Sequence, residues 1–268
     1  MAVTNGPQIA ISQIHAEVGG TGQASLNDPD IRGLIGKGEG VQMNMKEWYG
    51  ASAAIEFVTS ASRNSTGASG VRSLSLTGLG IQTGDLVVVA SIAQGLGDKW
   101  FAPITSGWTA CDSNQGYVTF QTSYRYYKVM GATVDSTFQI STAEGSWEFN
   151  DQPAIVVVFR NTGSSPTNSS STIETNQNTT FVPGAQTVSN ADSLHIIVAT
   201  RAENKVADAV SGWTQISNGY SSTQSGSTYY NRAHLWYKLG VGSGSSNIGT
   251  LNFPSSYGRV NAAQLIFN

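Results

Sequence analysis

At 268 residues, 12% of them charged and 9% aromatic, the chain carries apolar material for a sizeable core and too little charge for a disordered polymer. Its net charge of −3 comes with no basic stripe to neutralise phosphates, which argues against a nucleic-acid binder. The single cysteine, Cys111, excludes intrachain disulfides, and no apolar run approaches the roughly 18 residues of a membrane helix.

The first residues, Met1 to Pro7, lack a basic stretch followed by an apolar core, so no secretory signal is expected and assembly is expected in a cytoplasm. Residues 1–57 then read as one unit. Ile9, Ile11 and Ile14 precede Gly19-Gly20. Asp28-Pro29-Asp30 offers a cap and a first-turn proline for a short helix through Ile31 to Ile35, and Asn44 can cap another turn through Trp48 and Tyr49, ended by Gly50. Helices this short do not persist alone in water. A unit of about 60 residues also buries little surface by itself, so docking on another subunit is expected.

From about residue 70 the pattern changes to strands. Leu74, Leu76 and Leu79 alternate with polar residues, and Leu86 to Ile92 is a continuous apolar run suited to a central strand. Phe120, Tyr124 and Tyr126 alternate with Gln, Ser and Arg, as on a half-buried antiparallel strand. Residues 137–140 and 155–159 complete a first set. A polar, low-complexity stretch from Gly163 to Thr180 follows, expected as a linker or a solvated connection. A second set of strands is expected near 194–200, 213–217, 228–240, 248–253 and 262–267.

The second set repeats the first. Tyr117 to Val129 aligns without a gap on Ser227 to Leu239, so that Lys128 meets Lys238. Ser106-Gly107-Trp108-Thr109 matches Ser211-Gly212-Trp213-Thr214, Asp85-Leu86 matches Asp192 to Leu194, and Ala154 to Phe159 matches Ala262 to Phe267. Each half offers too few strands to cover its own apolar runs, so the expected fold is all-β: a jelly-roll-like sandwich over residues 58–268 with similar halves at about 71–162 and 181–268, one shared core being preferred to two small lobes.

A repeat separates scaffold from specialisation. Trp108/Trp213, Phe120/Tyr230, Tyr126/Trp236, Tyr127/Tyr237 and Phe159/Phe267 occur in both copies and read as core. Cys111 falls opposite Ile216 and reads as a packing position. Trp100, Phe101 and Trp147 have no counterpart and stand beside Gly97-Asp98-Lys99 and Gly145-Ser146, so they are candidates for a ligand surface or a subunit interface. Tyr220, Tyr229 and Tyr257 come second.

Signals for catalysis are missing. His195 falls opposite Val87 and His234 opposite Tyr124, both inside expected strands, while His15 lies in the N-terminal unit. No His or Cys spacing suits zinc, and no glycine-rich loop suits a phosphate, so neither a metal nor a cofactor is expected. Asp98, Asp112, Glu144, Glu148 and Asp151 include no pair that spacing singles out for glycoside hydrolysis. Asp85 and Asp192 each precede a strand and read as turn residues. Lys128 and Lys238, kept in both copies, read as structural.

Two regions carry a resemblance. Ile11-Ser-Gln-Ile14-His-Ala-Glu17-Val-Gly19-Gly20, with Ala24-Ser-Leu26 and Met45-Lys-Glu-Trp48-Tyr49-Gly50-Ala51, resembles a short N-terminal module of bacteriophage virion proteins, with Val18 in place of the usual Phe. The repeated plan of Gly-Asp-Leu-Val-Val-Val, Gly-Trp-Thr, Tyr-Lys-Val and a final apolar run ending in Phe resembles a β-sandwich module of phage structural proteins and surface adhesins. The resemblance implies a virion structural protein, without cofactor or catalytic residues, assembled in the host cytoplasm. Ile11, Ile14, Gly19, Gly20, Trp48 and Tyr49 would anchor it to tail or capsid proteins, and the sandwich would face outward. A tail-fibre or receptor-binding component contacting a host-surface glycan, as a homo-oligomer such as a trimer, is the leading expectation. A capsid-decoration or baseplate adaptor without a ligand is the alternative, and a polysaccharide-degrading tailspike the third.

Overall fold

The computed structural model describes residues 14–15, 18, 25–26, 28–38, 41–43, 53–65, 71–94, 102–111, 117–118, 121–141, 152–174, 179–189, 192–201, 205–224, 227–254 and 260–268. The chain divides into two compact units, Met1–Ile55 and Glu56–Asn268. In the first, helix α1 (Pro29–Gly33) starts at Asp28, with Pro29 in the first turn, as the sequence suggests. The Asp28 carboxylate does not cap that helix; its Oδ2 accepts the backbone N–H of Ser25 at 2.9 Å. Ile14 and Ile31 are fully buried together, with Val18, Leu26, Leu34, Ile35 and Met43 packed around them. Buried Arg32 ties down the following turn by donating from Nε to Gly38 O at 2.8 Å and from a terminal nitrogen to Val41 O.

The second unit is all-β. Its strands are β1 (Glu56–Ser65), β2 (Val71–Ser75), β3 (Leu86–Gln94), β4 (Ala102–Pro103), β5 (Thr109–Ala110), β6 (Tyr117–Val118), β7 (Gln121–Val129), β8 (Thr137–Ser141) and β9 (Gln152–Arg160). They continue with β10 (Asn168–Glu174), β11 (Thr180–Phe181), β12 (Gln186–Val188), β13 (Ser193–Arg201), β14 (Thr214–Gln224), β15 (Ser227–Val241), β16 (Gly244–Ser246), β17 (Leu251–Asn252) and β18 (Val260–Phe267).

The duplication is a duplication of topology. One main sheet runs β1-β9-β3-β7-β5, the other β10-β18-β13-β15-β14, and all ladders are antiparallel. Register matches too: Leu86 pairs with Phe159 as Leu194 pairs with Phe267, and Val87 faces Lys128 as His195 faces Lys238. The Ser-Gly-Trp-Thr turns before β5 and β14 both place glycine at positive φ, +80° at Gly107 and +76° at Gly212. A Cβ at Gly212 would meet nothing, so Gly212→Ala isolates the backbone cost. We expect it to lower stability by roughly 1 kcal/mol, read as a shift of the urea midpoint at unchanged m-value; an unchanged midpoint would remove the conformational argument.

The sequence favoured one core shared by the two halves over two separate lobes. Each repeat closes a sandwich of its own with a small sheet, and the two main sheets also pack on each other, back to back, over fully buried residues such as Val88, Val157, Ile196 and Leu265. In the first, Val87, Val89, Tyr124, Tyr126, Val156 and Val158 of the main sheet pack on Leu74, Phe138 and Ile140 of the small sheet β2-β8-β4. In the second, Ile197, Ala199, Trp236 and Ala262 pack on Phe181, Leu251 and Phe253 around the β11-β17 ladder. The opposite faces of the main sheets meet each other. Tyr127 of one touches Phe267 of the other, and Tyr237 touches Phe159. Because these are the repeat pairs with partners exchanged, the halves relate like the subunits of a twofold dimer.

Three expectations change with this layout. The strand with Tyr124 and Tyr126 is not half-buried: Ser123 and Arg125 on its other face are buried as well, because a second sandwich covers them. The polar stretch after Gly163 contributes β10, laddered on β18 from Asn168/Ile266 to Glu174/Val260, where a linker or loop was expected. Strand β1 begins well before residue 70 and plays the same edge role in the first copy.

Candidate functional site

The strand ladders bring strand ends of both copies together at one end, while the turns 76–85, 130–136 and 161–167 lie at the other. Ser65 pairs with Gln152 and Gln94 with Gln121, so β1 and β3 leave the first sheet where β7 and β9 enter it. Glu174 pairs with Val260, and Arg201 with Arg232, at the corresponding end of the second sheet. The inter-sheet contacts join residues at matching heights. The Arg125 guanidinium, which donates from Nη1 to Ser123 Oγ at 2.9 Å, reaches Thr200 Oγ1 at 3.3 Å and Asn261 O at 3.4 Å. The Asn218 amide donates to Arg63 O and Ala154 O at 3.0 and 2.9 Å. The strand ends Ser65, Gln94, Gln121 and Gln152 of the first copy and Glu174, Arg201, Arg232 and Val260 of the second therefore lie on the same side, the loop-bearing end.

Trp100 and Phe101 fall in the sequence between Gln94 and Ala102, Trp147 between Ser141 and Gln152, and Tyr257 between Pro254 and Val260. All four lie outside the described residues, as do Ile11, Gly19, Gly20, Trp48 and Tyr49. Of the expected anchoring residues, Ile14 is described, and it is buried in the first unit's own cluster. At the loop-bearing end of the second copy, Arg201 and Arg232 oppose each other across β13 and β15, and the Arg201 guanidinium lies 4.7 Å from the Phe253 ring centroid. In the repeat alignment these arginines stand opposite Ala93 and Thr122, so they belong to one copy only.

Most described aromatics kept in both copies are core or near-core. Trp236, Phe159 and Phe267 are fully buried, and Trp108, Tyr126 and Tyr237 nearly so, while Trp213, Tyr230 and Tyr127 are half-buried. Cys111 is buried, with its N–H donating to Arg125 O at 2.9 Å. Lys128 is structural: it donates to Asp135 Oδ2 at 2.7 Å and Ser106 O at 2.9 Å, and Trp108 Nε1–H reaches the same carboxylate at 2.9 Å. Lys238 by contrast is exposed.

Two polar clusters were not foreseen. Asp85 is fully buried and takes a two-pronged bond from Arg160, Nε to Oδ1 at 2.8 Å and Nη2 to Oδ2 at 2.9 Å, besides the Gln82 N–H at 2.8 Å. It is thus an ion-pair residue as well as a turn residue. Its structural counterpart is Ser193, whose hydroxyl donates to Asn268 Oδ1 at 2.6 Å, and Asp192 is exposed. The second cluster surrounds His195, fully buried, with Nδ1 at 2.8 Å from Ser246 Oγ and Nε2 at 3.3 Å from Gln264 Oε1. The Gln264 amide nitrogen donates to Gly184 O at 3.1 Å and Ser170 Oγ at 3.3 Å. That orientation leaves Oε1 to accept from His195 Nε2–H, so Nδ1 accepts from the serine. Burial pushes the His195 pKa down to about 4, against the Gln264 bond and with help from Lys238. A serine beside a histidine is here a buried packing network; the equivalents of His195 and Gln264 in the first copy are Val87 and Val156.

Among the described residues no group of three or more His, Cys, Asp or Glu is placed to hold a metal ion, and no helix is long and apolar enough to cross a membrane. Comparison with protein-family models, with curated proteins and with solved structures finds no match.

Proposed function

We propose that the chain is a bacteriophage virion structural protein of tail-fibre or receptor-binding type. Its N-terminal unit attaches to a tail or capsid protein, and the double sandwich turns its loop-bearing end toward a glycan on the host surface. The observation that carries this reading is that strand ends of both copies, from Ser65, Gln94 and Gln152 to Glu174, Arg201 and Val260, come to one end of the double sandwich, because rigid sheets that present variable loops together are how sandwich proteins build recognition surfaces. The aromatics found in one copy only, Trp100, Phe101 and Trp147, belong in sequence to those connections and supply flat faces for sugar rings. Weak sites would act through several copies on one particle, as in a homotrimer.

The test is a glycan array probed with the full-length chain and with a Trp100→Ala/Trp147→Ala variant. Saturable binding to host-type glycans that the double variant loses supports receptor binding. Failure of the full-length chain to bind any glycan, with a particle reconstruction that buries the loop-bearing end against neighbouring subunits, would replace it with an adaptor role.

A further inference from the structure

The twofold relation between the copies is broken beside Tyr127, and the break leaves that ring partly exposed. On one side Tyr237 meets Phe159 edge-to-face, 5.1 Å between centroids at 76°; on the other Tyr127 meets Phe267 at 5.6 Å and 80°. The two pairs are copies of one another. Among the described residues a third ring joins only the first: Phe57 stacks flat on Tyr237 at 5.3 Å and 9° and touches Phe159 edge-on at 6.1 Å. Phe57 belongs to β1 and pairs with Phe159 in the ladder. In the second copy β10 takes the place of β1, Asn168 pairs with Ile266, and the residue level with Phe267 is Thr167. A threonine stands where the covering phenylalanine would be.

The consequence is visible in exposure. Tyr237, under Phe57, is 7% exposed, whereas Tyr127 is only half-buried. Two threonines are placed beside Tyr127, one by the ladder and one, Thr167, by its register at the position that Phe57 takes in the first copy. Thr109 pairs with Tyr127 across β5 and β7 and bonds its side chain, and both Thr109 and Thr167 are exposed. An aromatic face bordered by hydroxyls suits the C–H face of a sugar ring, whose own hydroxyls bond the rim. A purely apolar side chain would leave those hydroxyls unanswered.

We propose that Tyr127, backed by Phe267 and flanked by Thr109 and Thr167, is a monosaccharide-binding subsite that takes a pyranose ring in the position Phe57 occupies on Tyr237. It rests on the glycan-binding reading above and adds a second place of contact, away from the loop-bearing end.

The experiment uses the full-length chain with ring-labelled tyrosine, titrated with methyl β-galactoside, methyl α-glucoside and N-acetylglucosamine at millimolar concentrations, and separately with p-cresol. The Tyr127 ring signals are expected to shift saturably with at least one sugar, while those of Tyr237 stay. Thr167→Phe supplies the missing ring, so it should abolish the shift and raise the melting temperature. Thr109→Val should weaken sugar binding several-fold without unfolding. Silence of Tyr127 with every sugar, an undiminished shift in Thr167→Phe, or a response to p-cresol alone overturns the subsite. Array binding that persists unchanged in Thr167→Phe, with Tyr127 silent, sinks the subsite and spares the receptor reading. A blank array with a saturable Tyr127 shift supports the subsite and sinks that reading.

Discussion

Replacing Arg160 with methionine should destabilise the protein by about 3–5 kcal/mol, more than truncating an ordinary surface residue could. The reason is Asp85. Its carboxylate is fully buried at the start of the central strand β3 and holds two guanidinium bonds at 2.8 and 2.9 Å. Without Arg160 the charge stays behind, answered by the Gln82 N–H alone among these bonds. The second copy shows a neutral solution to the same position, since Ser193 bonds Asn268 at 2.6 Å. The double variant Asp85→Ser/Arg160→Asn transplants that solution, so its loss should stay within about 2 kcal/mol, because a neutral hydrogen-bonded pair carries no stranded charge. Urea unfolding of wild type, Arg160→Met and the double variant decides it. A double variant as unstable as the single one would show that the charge is not the cause.

The same comparison explains what the sequence makes legible. Apolar runs such as 86–92 and 155–159 announce central strands because both their faces are buried, and the same blocks in the same order in the second half announce the repeat. Registers follow, since Leu86/Phe159 and Leu194/Phe267 are set by the same side chains. The edge strands are hidden. β1 and β10 are rich in Ser, Thr and Asn, because each main sheet ladders them on one side only and the backbone does the binding. The back-to-back packing is hidden for a different reason. Ser123 and Arg125 look solvent-facing in the sequence, and they are buried because Ser123, Thr200 and Asn261 provide hydrogen bonds from two sheets. In the repeat alignment Ser123 and Arg125 stand opposite Ala233 and Leu235, so this polar patch between the sheets has no symmetric counterpart. Phe57 was invisible as a site residue because it lies outside every aligned block; its importance appears only when the broken symmetry at Tyr127 is seen.

His195 should make the protein acid-sensitive between pH 6.5 and about 4. In the unfolded chain this histidine titrates near 6.5, whereas in the fold its pKa is about 4, so the folded state favours the neutral ring. The contribution is therefore complete above pH 6.5 and drains away as the pH falls through the folded value. The gap corresponds to about 3 kcal/mol in all, or roughly 1.4 kcal/mol per pH unit inside the window. The physical cause is burial: the ring is enclosed by Trp213, edge-on at 4.9 Å, and by Ser246 and Gln264, and the charged residue facing it across the ladder is Lys238, of the wrong sign to help. Protonating Nδ1 would also turn it into a donor toward a serine hydroxyl that now donates to it, forcing that hydroxyl to rotate. His195→Gln keeps a hydrogen-bonding side chain but cannot titrate, so its urea midpoint should change much less than wild type between pH 6.5 and 4.5. Trp213 offers a local reporter, because a protonated imidazole against the indole quenches its fluorescence while the fold survives. Parallel pH profiles for wild type and His195→Gln would mean that carboxylates elsewhere carry the acid sensitivity and that the buried histidine contributes nothing to it.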